Sequence, residues 1–297
     1  MKTEKKPFFY LTRDELALVA ITMAWGITFL TVRNALSVTG PFFFVGFRFA
    51  AATMFMAFLS LPVLRALNLR EIVMGGAIGV CIYMSYSLQA HGMLTISSSK
   101  SAFITAFYVP IVPLLQWVIL RRPPRFMSWL GIFCAFAGLL LLAGPEGSTL
   151  GLGWGEFLTL LGALVVSVEI ILIGKFARNV NARRVTIVQL GVTSILAFAS
   201  VPVAGESIPF FSWTLVLSAV GLGSLTAVIQ LIMNWAQKRV SPTRATVIYA
   251  AEPVWAGLFG RIAGERLPPA ALLGGVLIVL GVLISELRFK RSKPPLR

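Results

Sequence analysis

Histidine occurs once in this 297-residue sequence, at His91, and cysteine twice, at Cys81 and Cys134. One histidine excludes a His-based metal cluster. Both cysteines lie inside apolar stretches, where a small buried side chain is the simpler reading than a disulfide framework or zinc-type spacing. Charge is also scarce: charged residues make up 12% of the chain, against about 25% in a soluble domain. Too little polar surface remains to cover a water-soluble globule. No P-loop or nucleotide motif is present, and no paired-carboxylate or His-rich constellation offers a catalytic centre. These absences leave no cofactor to assign and argue against an enzyme.

What is abundant is apolar: 57% of residues are hydrophobic and the mean hydropathy is +0.86. A hydrocarbon core about 30 Å thick needs about 20 apolar helical residues. That ruler gives ten spans, at about 15–36, 41–64, 72–93, 98–120, 126–143, 155–175, 184–203, 211–235, 242–262 and 269–286. Gly, Pro or charge separates them, as at Thr39-Gly40-Pro41, Arg121-Arg122-Pro123-Pro124 and Gly144-Pro145-Glu146-Gly147. The runs do not alternate in polarity, so a membrane barrel is not indicated. The segment Met1–Arg13 is basic and polar, and the run Leu16–Leu36 after it is too long for a signal-peptide core, so it reads as a retained first span.

The net charge of +15 suits either nucleic acid or basic cytoplasmic loops, and the positions of the basic residues decide. With the N-terminus inside, 21 of 26 fall on the cytoplasmic side. They lie at Lys2–Arg13, Arg65 and Arg70, Arg121–Arg125, Lys175–Arg184, Lys238–Arg244 and Arg288–Arg297. Arg33, Lys100, Arg261 and Arg266 fall outside, and Arg48 within a span. The split predicts ten spans with both termini cytoplasmic; the expected location is the inner (plasma) membrane of a bacterium-like cell. The lipid bilayer is then a partner, and nucleic acid is not needed to explain the charge.

At an offset of 143 residues the chain meets itself: Ser98 falls on Ser241, Ala102 on Ala245, Pro110 on Pro253, Gly131 on Gly274 and Gly138 on Gly281. The expected fold class is all-α, a polytopic membrane protein of two five-helix repeats, 1–148 and 149–297, in one membrane domain. Five is odd, so the second repeat is inverted relative to the first. Two inverted halves that exchange conformations convert an outward-open cavity into an inward-open one.

Several stretches then carry a resemblance. Asn234-Trp235-Ala236-Gln237, Arg244-Ala245-Thr246, Ala251-Glu252-Pro253-Val254, Gly264-Glu265-Arg266-Leu267, Leu273-Gly274-Gly275 and Leu280-Gly281-Val282 resemble the second half of EamA-type proteins of the drug/metabolite transporter superfamily. Ala24-Trp25-Gly26, Phe47-Arg48-Phe49 and Ser97–Phe103 agree with the first half. The resemblance implies ten helices, cytoplasmic termini and alternating-access transport, usually export. Within the superfamily the overall similarity is to bacterial aromatic amino-acid exporters. One departure is Arg121-Arg122, where the first half often carries a Gly-Glu-Arg-like turn.

Substrate sites in such folds lie near the midplane between repeats. Tyr83, Ser87 and His91 form an i, i+4, i+8 stripe, and the offset places Thr226, Gln230 and Asn234 in the matching stripe. Interhelical hydrogen bonding is the preferred role for Ser87 and Thr226, and a cavity role for His91, Gln230 and Asn234. Arg48, Glu169 and Glu252 lie in apolar runs, where a charge costs about 2.5–3.5 kcal/mol on insertion scales. Each therefore needs a partner, water or a substrate. Trp25, Tyr83, Tyr86, Phe103, Tyr108, Trp117, Tyr249 and Trp255 are candidates for stacking on a ring or cation, with Trp25, Tyr83 and Tyr249 preferred for the cavity and Tyr86 beside the stripe. Pro110 and Pro253 are repeat mates expected to act as paired hinges.

The expected function is a secondary transporter exporting amino acids, aromatic and other neutral ones, through a central cavity. Export is either proton-coupled, with Glu252, Glu169 and His91 as proton candidates, or facilitated diffusion. The alternative is another small metabolite or a cationic drug on the same fold; a membrane enzyme or a channel fits less well.

Overall fold

The computed structural model describes residues 11–96, 98–121, 123, 126–143, 153–252, 254–255, 258 and 269–286, and among them there are helices, turns and no strand. The helices are α1 (Arg13–Leu36), α2 (Pro41–Leu64), α3 (Leu69–Gly92), α4 (Ser98–Thr105), α5 (Tyr108–Leu120) and α6 (Phe126–Ala143). They continue as α7 (Trp154–Phe176), α8 (Ala182–Val203), α9 (Trp213–Ala236), α10 (Pro242–Tyr249) and α11 (Pro269–Glu286). Among the described residues, α2, α3, α8, α9 and the stretch Trp154–Asn179 are long and apolar enough to cross a membrane. At 24 residues, α2 rises about 36 Å, more than the hydrocarbon thickness.

Local chemistry sets the starts. Thr12 and Glu15 form a capping box at α1, and Asn68 and Glu71 form one at α3. Asn181 caps α8, and Ser241 caps α10 with Pro242 at its first position. Gly40 opens α2 ahead of Pro41.

Two spans differ from expectation. The stretch 98–120 is not one helix: it breaks between Thr105 and Tyr108. Pro110 has no N–H to give the Ala106 carbonyl, which accepts instead from Val109 N at 3.0 Å. The stretch 242–262 likewise stops at Tyr249 and turns through Ala250 and Ala251 before helical residues resume at Glu252. Pro253 lies outside the described residues. The two breaks fall at matching places under the 143-residue offset.

Small residues let the helices approach closely. A Cβ on Gly138 of α6 would stand 2.5 Å from the Gly274 carbonyl oxygen of α11, and one on Gly281 would stand 2.6 Å from that of Gly131. A Cβ on Gly79 of α3 would meet the Gln189 carbonyl oxygen of α8 at 2.6 Å. Small residues at these contacts let the helix backbones approach directly.

Ion pairs mark one end of the bundle. Asp14 meets Arg239 at 3.2 Å, Glu15 meets Arg244 at 2.5 Å and Glu71 meets Arg184 at 2.7 Å. They bring the starts of α1, α3, α8 and α10 and the end of α9 to a common face. At the opposite end Glu206, after α8, accepts from the backbone N–H groups of Phe42 and Phe43 at 3.0 and 2.9 Å, satisfying donors at the start of α2.

Candidate functional site

Both helix breaks line the same cavity. Thr105 ends α4 and Tyr108 begins α5 on one wall; Tyr249 ends α10 and Glu252 follows it on another. Trp25 and Thr28 of α1, Arg48 of α2, Ser85, Tyr86 and Gln89 of α3, Glu169 of α7, and Gln230 and Met233 of α9 complete the lining. The cavity volume is about 70 Å³, below the about 300–1,000 Å³ of small-molecule sites, so the walls stand close together in this conformation.

An aromatic box forms part of the wall. The rings of Trp25 and Tyr249 meet edge to face with centroids 5.2 Å apart. Tyr86 packs edge to face on Phe49 at 5.0 Å. The Tyr108 hydroxyl is buried, makes no hydrogen bond among the described residues and lies beside the Glu252 carboxyl. Such rings present an apolar face and a polar tip to a ligand.

Three ionisable groups share the cavity. Arg48 donates from Nε and Nη2 to Thr226 Oγ1 at 3.0 and 2.8 Å, and its guanidinium carbon stands 5.1 Å from the centre of the Tyr86 ring. It is 3% exposed, and none of the ion pairs among the described residues includes it. Glu169 accepts from Gln230 Nε2 at 3.1 Å. Gln230 Oε1 accepts from Gln189 Nε2 at 2.8 Å, and Asn234 Nδ2 donates to Gln189 Oε1 and to Thr186 Oγ1, each at 3.1 Å. This buried amide chain, with its O and N atoms assigned by the network itself, runs from Glu169 away from the cavity between α8 and α9. Gln89 Nε2 donates to Thr105 Oγ1 at 3.0 Å and ties α3 to the end of α4.

Trp25, Tyr86, Gln230, Tyr249, Arg48, Glu169 and Glu252 therefore meet in one place. Other residues singled out by spacing lie elsewhere. Tyr83, Ser87 and His91 line a separate pocket with Phe42 and Trp154, on the far side of α3 from the cavity. There the Tyr83 hydroxyl is 2.6 Å from Ser200 Oγ, and His91 Nδ1 is 2.8 Å from the Ser87 carbonyl oxygen. Asn234 sits in the amide chain behind the cavity rather than on its wall. Thr226 bonds Arg48, which matches the interhelical role expected of it. Pro110 stands in the first turn of α5. The sequence reasoning missed Ser85, Gln89 and Thr105, whereas Tyr108 is among its stacking candidates and lines the cavity. The signal for Thr105 is the Pro110 break itself, because discontinuous helices border binding sites in such folds.

Comparison with known proteins adds the following. The profile of the EamA-like transporter family matches twice, over residues 13–144 and 153–287. An uncharacterized transporter of Archaeoglobus fulgidus is 28% identical over 275 residues, covering 92% of this chain and 86% of its own. The uncharacterized inner membrane transporter YedA of Escherichia coli K12 is 29% identical over 284 residues, covering 91% and 89%. A solved crystal structure superposes with a TM-score of 0.74 at 19% identity, over 93% of this chain and 99% of that one, a likeness of fold.

Proposed function

Because this chain belongs to the EamA-like transporter family, and is thus a multi-pass membrane transporter, we propose that it exports amino acids, aromatic and other neutral ones, by alternating access through the central cavity. The observation that carries the reading is the company of Arg48: one guanidinium that makes no ion pair among the described residues, inside a cavity that also holds two carboxyls and four aromatic rings. A zwitterion with an aromatic side chain uses all three features. Arg48 takes the carboxylate, Glu252 or Glu169 the ammonium, and Trp25, Tyr86, Tyr108 and Tyr249 the ring.

Two features support the mechanism. The family profile matches each half once, in keeping with two inverted repeats, 1–148 and 149–297. The breaks at Thr105–Tyr108 and after Tyr249 are at equivalent positions and both touch the cavity. Each repeat thus offers a joint, beside Pro110 in the first and after Tyr249 in the second, about which its half-helices swing. The concentration of basic residues supports cytoplasmic termini in an inner membrane, with the face held by Asp14–Arg239 and Glu15–Arg244 as the inner one.

A second reading has one observation in its favour. Two carboxyls against one guanidinium, with aromatic rings around them, also suit an organic cation. The experiment that separates them is uptake of labelled tryptophan, threonine and a cationic dye into liposomes holding the purified protein, with and without a pH gradient. Saturable amino-acid flux supports the first reading. Dye flux without amino-acid flux replaces it with the second.

A further inference from the structure

A second cavity opens at the inner ends of the helices. Gln116 of α5, Lys175 of α7, Arg178, Gln237 and Ser241 line it, around a volume of about 340 Å³. It holds two cationic side chains and no carboxylate among its lining residues. Arg178 is anchored, with Nε donating to the Lys238 carbonyl oxygen at 3.1 Å. Gln116 is anchored too, since its Oε1 accepts from both the backbone N–H and the hydroxyl of Thr243, at 3.2 and 3.0 Å. The walls are therefore built rather than loose.

Gln237 joins this cavity to the central one. Its Nε2 donates to the Tyr249 hydroxyl at 3.2 Å, and its Oε1 is buried with no hydrogen-bond partner among the described residues. Tyr249 is fully buried and lines the central cavity. One hydrogen-bonded pair of side chains thus has a member in each cavity, and a buried acceptor beside it waits for a donor. A cleft lined by charge of one sign concentrates ligands of the other.

We propose that this inner vestibule collects the carboxylate of the cargo, on Lys175 and Arg178, before the cargo passes the Gln237–Tyr249 partition into the central cavity. The proposal rests on the amino-acid reading given above. The cargo's ammonium supplies the donor that Gln237 Oε1 lacks, so that its arrival competes with the contact closing the partition.

The test uses the full chain in phosphatidylcholine vesicles with the inner face outward and with Cys81→Ala and Cys134→Ala to remove background thiols. Ser241→Cys reports on the vestibule and Ser85→Cys on the central cavity. Rates of modification by an anionic and a cationic methanethiosulfonate reagent are compared. An anionic preference of about fivefold at Ser241→Cys is expected. It disappears in Lys175→Ala/Arg178→Ala and returns in Lys175→Arg/Arg178→Lys. Adding Gln237→Ala speeds modification of Ser85→Cys from the inner side, and tryptophan slows modification of Ser241→Cys. The proposal is overturned by no anionic preference, by a preference that survives removal of both charges, or by an unchanged rate at Ser85→Cys. Preference and protection that vanish when phosphatidylglycerol is added also overturn it, because the vestibule then holds a lipid headgroup. A wild-type protein that carries no amino acid defeats the transport reading in its own flux assay, while the charge preference still decides whether the vestibule gathers anions.

Discussion

Arg48 on α2 places two of its nitrogens on the hydroxyl of Thr226 on α9, at 3.0 and 2.8 Å. The contact binds the two helices together and aims a guanidinium at the cavity, but a hydroxyl carries no charge to balance it. A buried charge without an opposite partner is costly, and a ligand carboxylate relieves that cost. Arg48→Ala is therefore expected to weaken binding of tryptophan by about tenfold or more, while tryptamine, which lacks the carboxylate, binds as before. Scintillation proximity binding of both ligands measures the difference. Equal losses for the two ligands would assign Arg48 to packing alone.

Glu169 and Glu252 occupy the same cavity in different company. Glu169 is held by the Gln230 amide, whereas Glu252 lies beside the Tyr108 hydroxyl and no side-chain amide among the described residues holds it. The less restrained carboxyl is better placed to exchange a proton with the cavity. Glu252→Gln is expected to abolish the response of tryptophan flux to a pH gradient while tryptophan exchange between equal pools continues. Glu169→Gln is expected to keep the response. A gradient response intact in both variants would leave facilitated diffusion as the mechanism.

The amide chain behind the cavity has a structural consequence. Gln189 donates to Gln230 and accepts from Asn234, so Gln189→Leu takes the donor from Gln230 Oε1, while Asn234 Nδ2 keeps Thr186 Oγ1 and the Gln230 carbonyl oxygen as acceptors. Its cost is about 1–3 kcal/mol, with the lower end favoured because membrane-buried hydrogen bonds have modest net worth. A lower midpoint of thermal unfolding in detergent, with tryptophan affinity little changed, is the expected result. An unchanged midpoint would show that water or neighbouring groups replace the amide.

Much of this was legible in the residues, and the misses have physical causes. Hydropathy and the basic loops locate the helical stretches, and apolar surroundings flag Arg48, Glu169 and Glu252, all of which line the cavity. Spacing alone fails on α3, where polar residues fill several successive positions. The stripe Tyr83, Ser87, His91 and the pair Ser85, Gln89 both have helical period, but two residues turn the helix by about 200°. The two sets therefore point to opposite sides, and only the neighbours of α3 tell which side is the cavity. The sequence marks hinges at Pro110 and Pro253. The breaks lie about a turn earlier, because a missing N–H acts on the carbonyl four residues back.

Close packing of α6 on α11 also makes a sharp prediction. A Cβ on Gly138 would stand 2.5 Å from the Gly274 carbonyl oxygen and 2.8 Å from Ile278 Cγ1. Backbone cannot yield as a flexible side chain does, so Gly138→Val must push the two helices apart. Overpacking of this kind costs about 1–3 kcal/mol, and a matching fall in the thermal midpoint is expected. Gly76, whose Cβ would meet nothing within 4 Å, is the control: Gly76→Ala should leave the midpoint unchanged or raise it.

Pro110 permits the last prediction, which concerns motion rather than binding. Its ring leaves the Ala106 carbonyl free of the regular helical bond, and that carbonyl accepts from Val109 N instead. Pro110→Ala restores a donor at the right place, so the break between Thr105 and Tyr108 should tend to close into a continuous helix. Thr105 and Tyr108 both line the cavity, so closing the break shifts one wall and stiffens the joint proposed for alternation. The expected outcome is a tryptophan transport rate reduced by about tenfold, with a smaller change in affinity and a thermal midpoint equal to or above that of the unsubstituted protein. Stopped-flow flux and equilibrium binding on the same preparation separate the two effects. A variant that transports at the full rate would show that the break shapes the site without serving as its hinge.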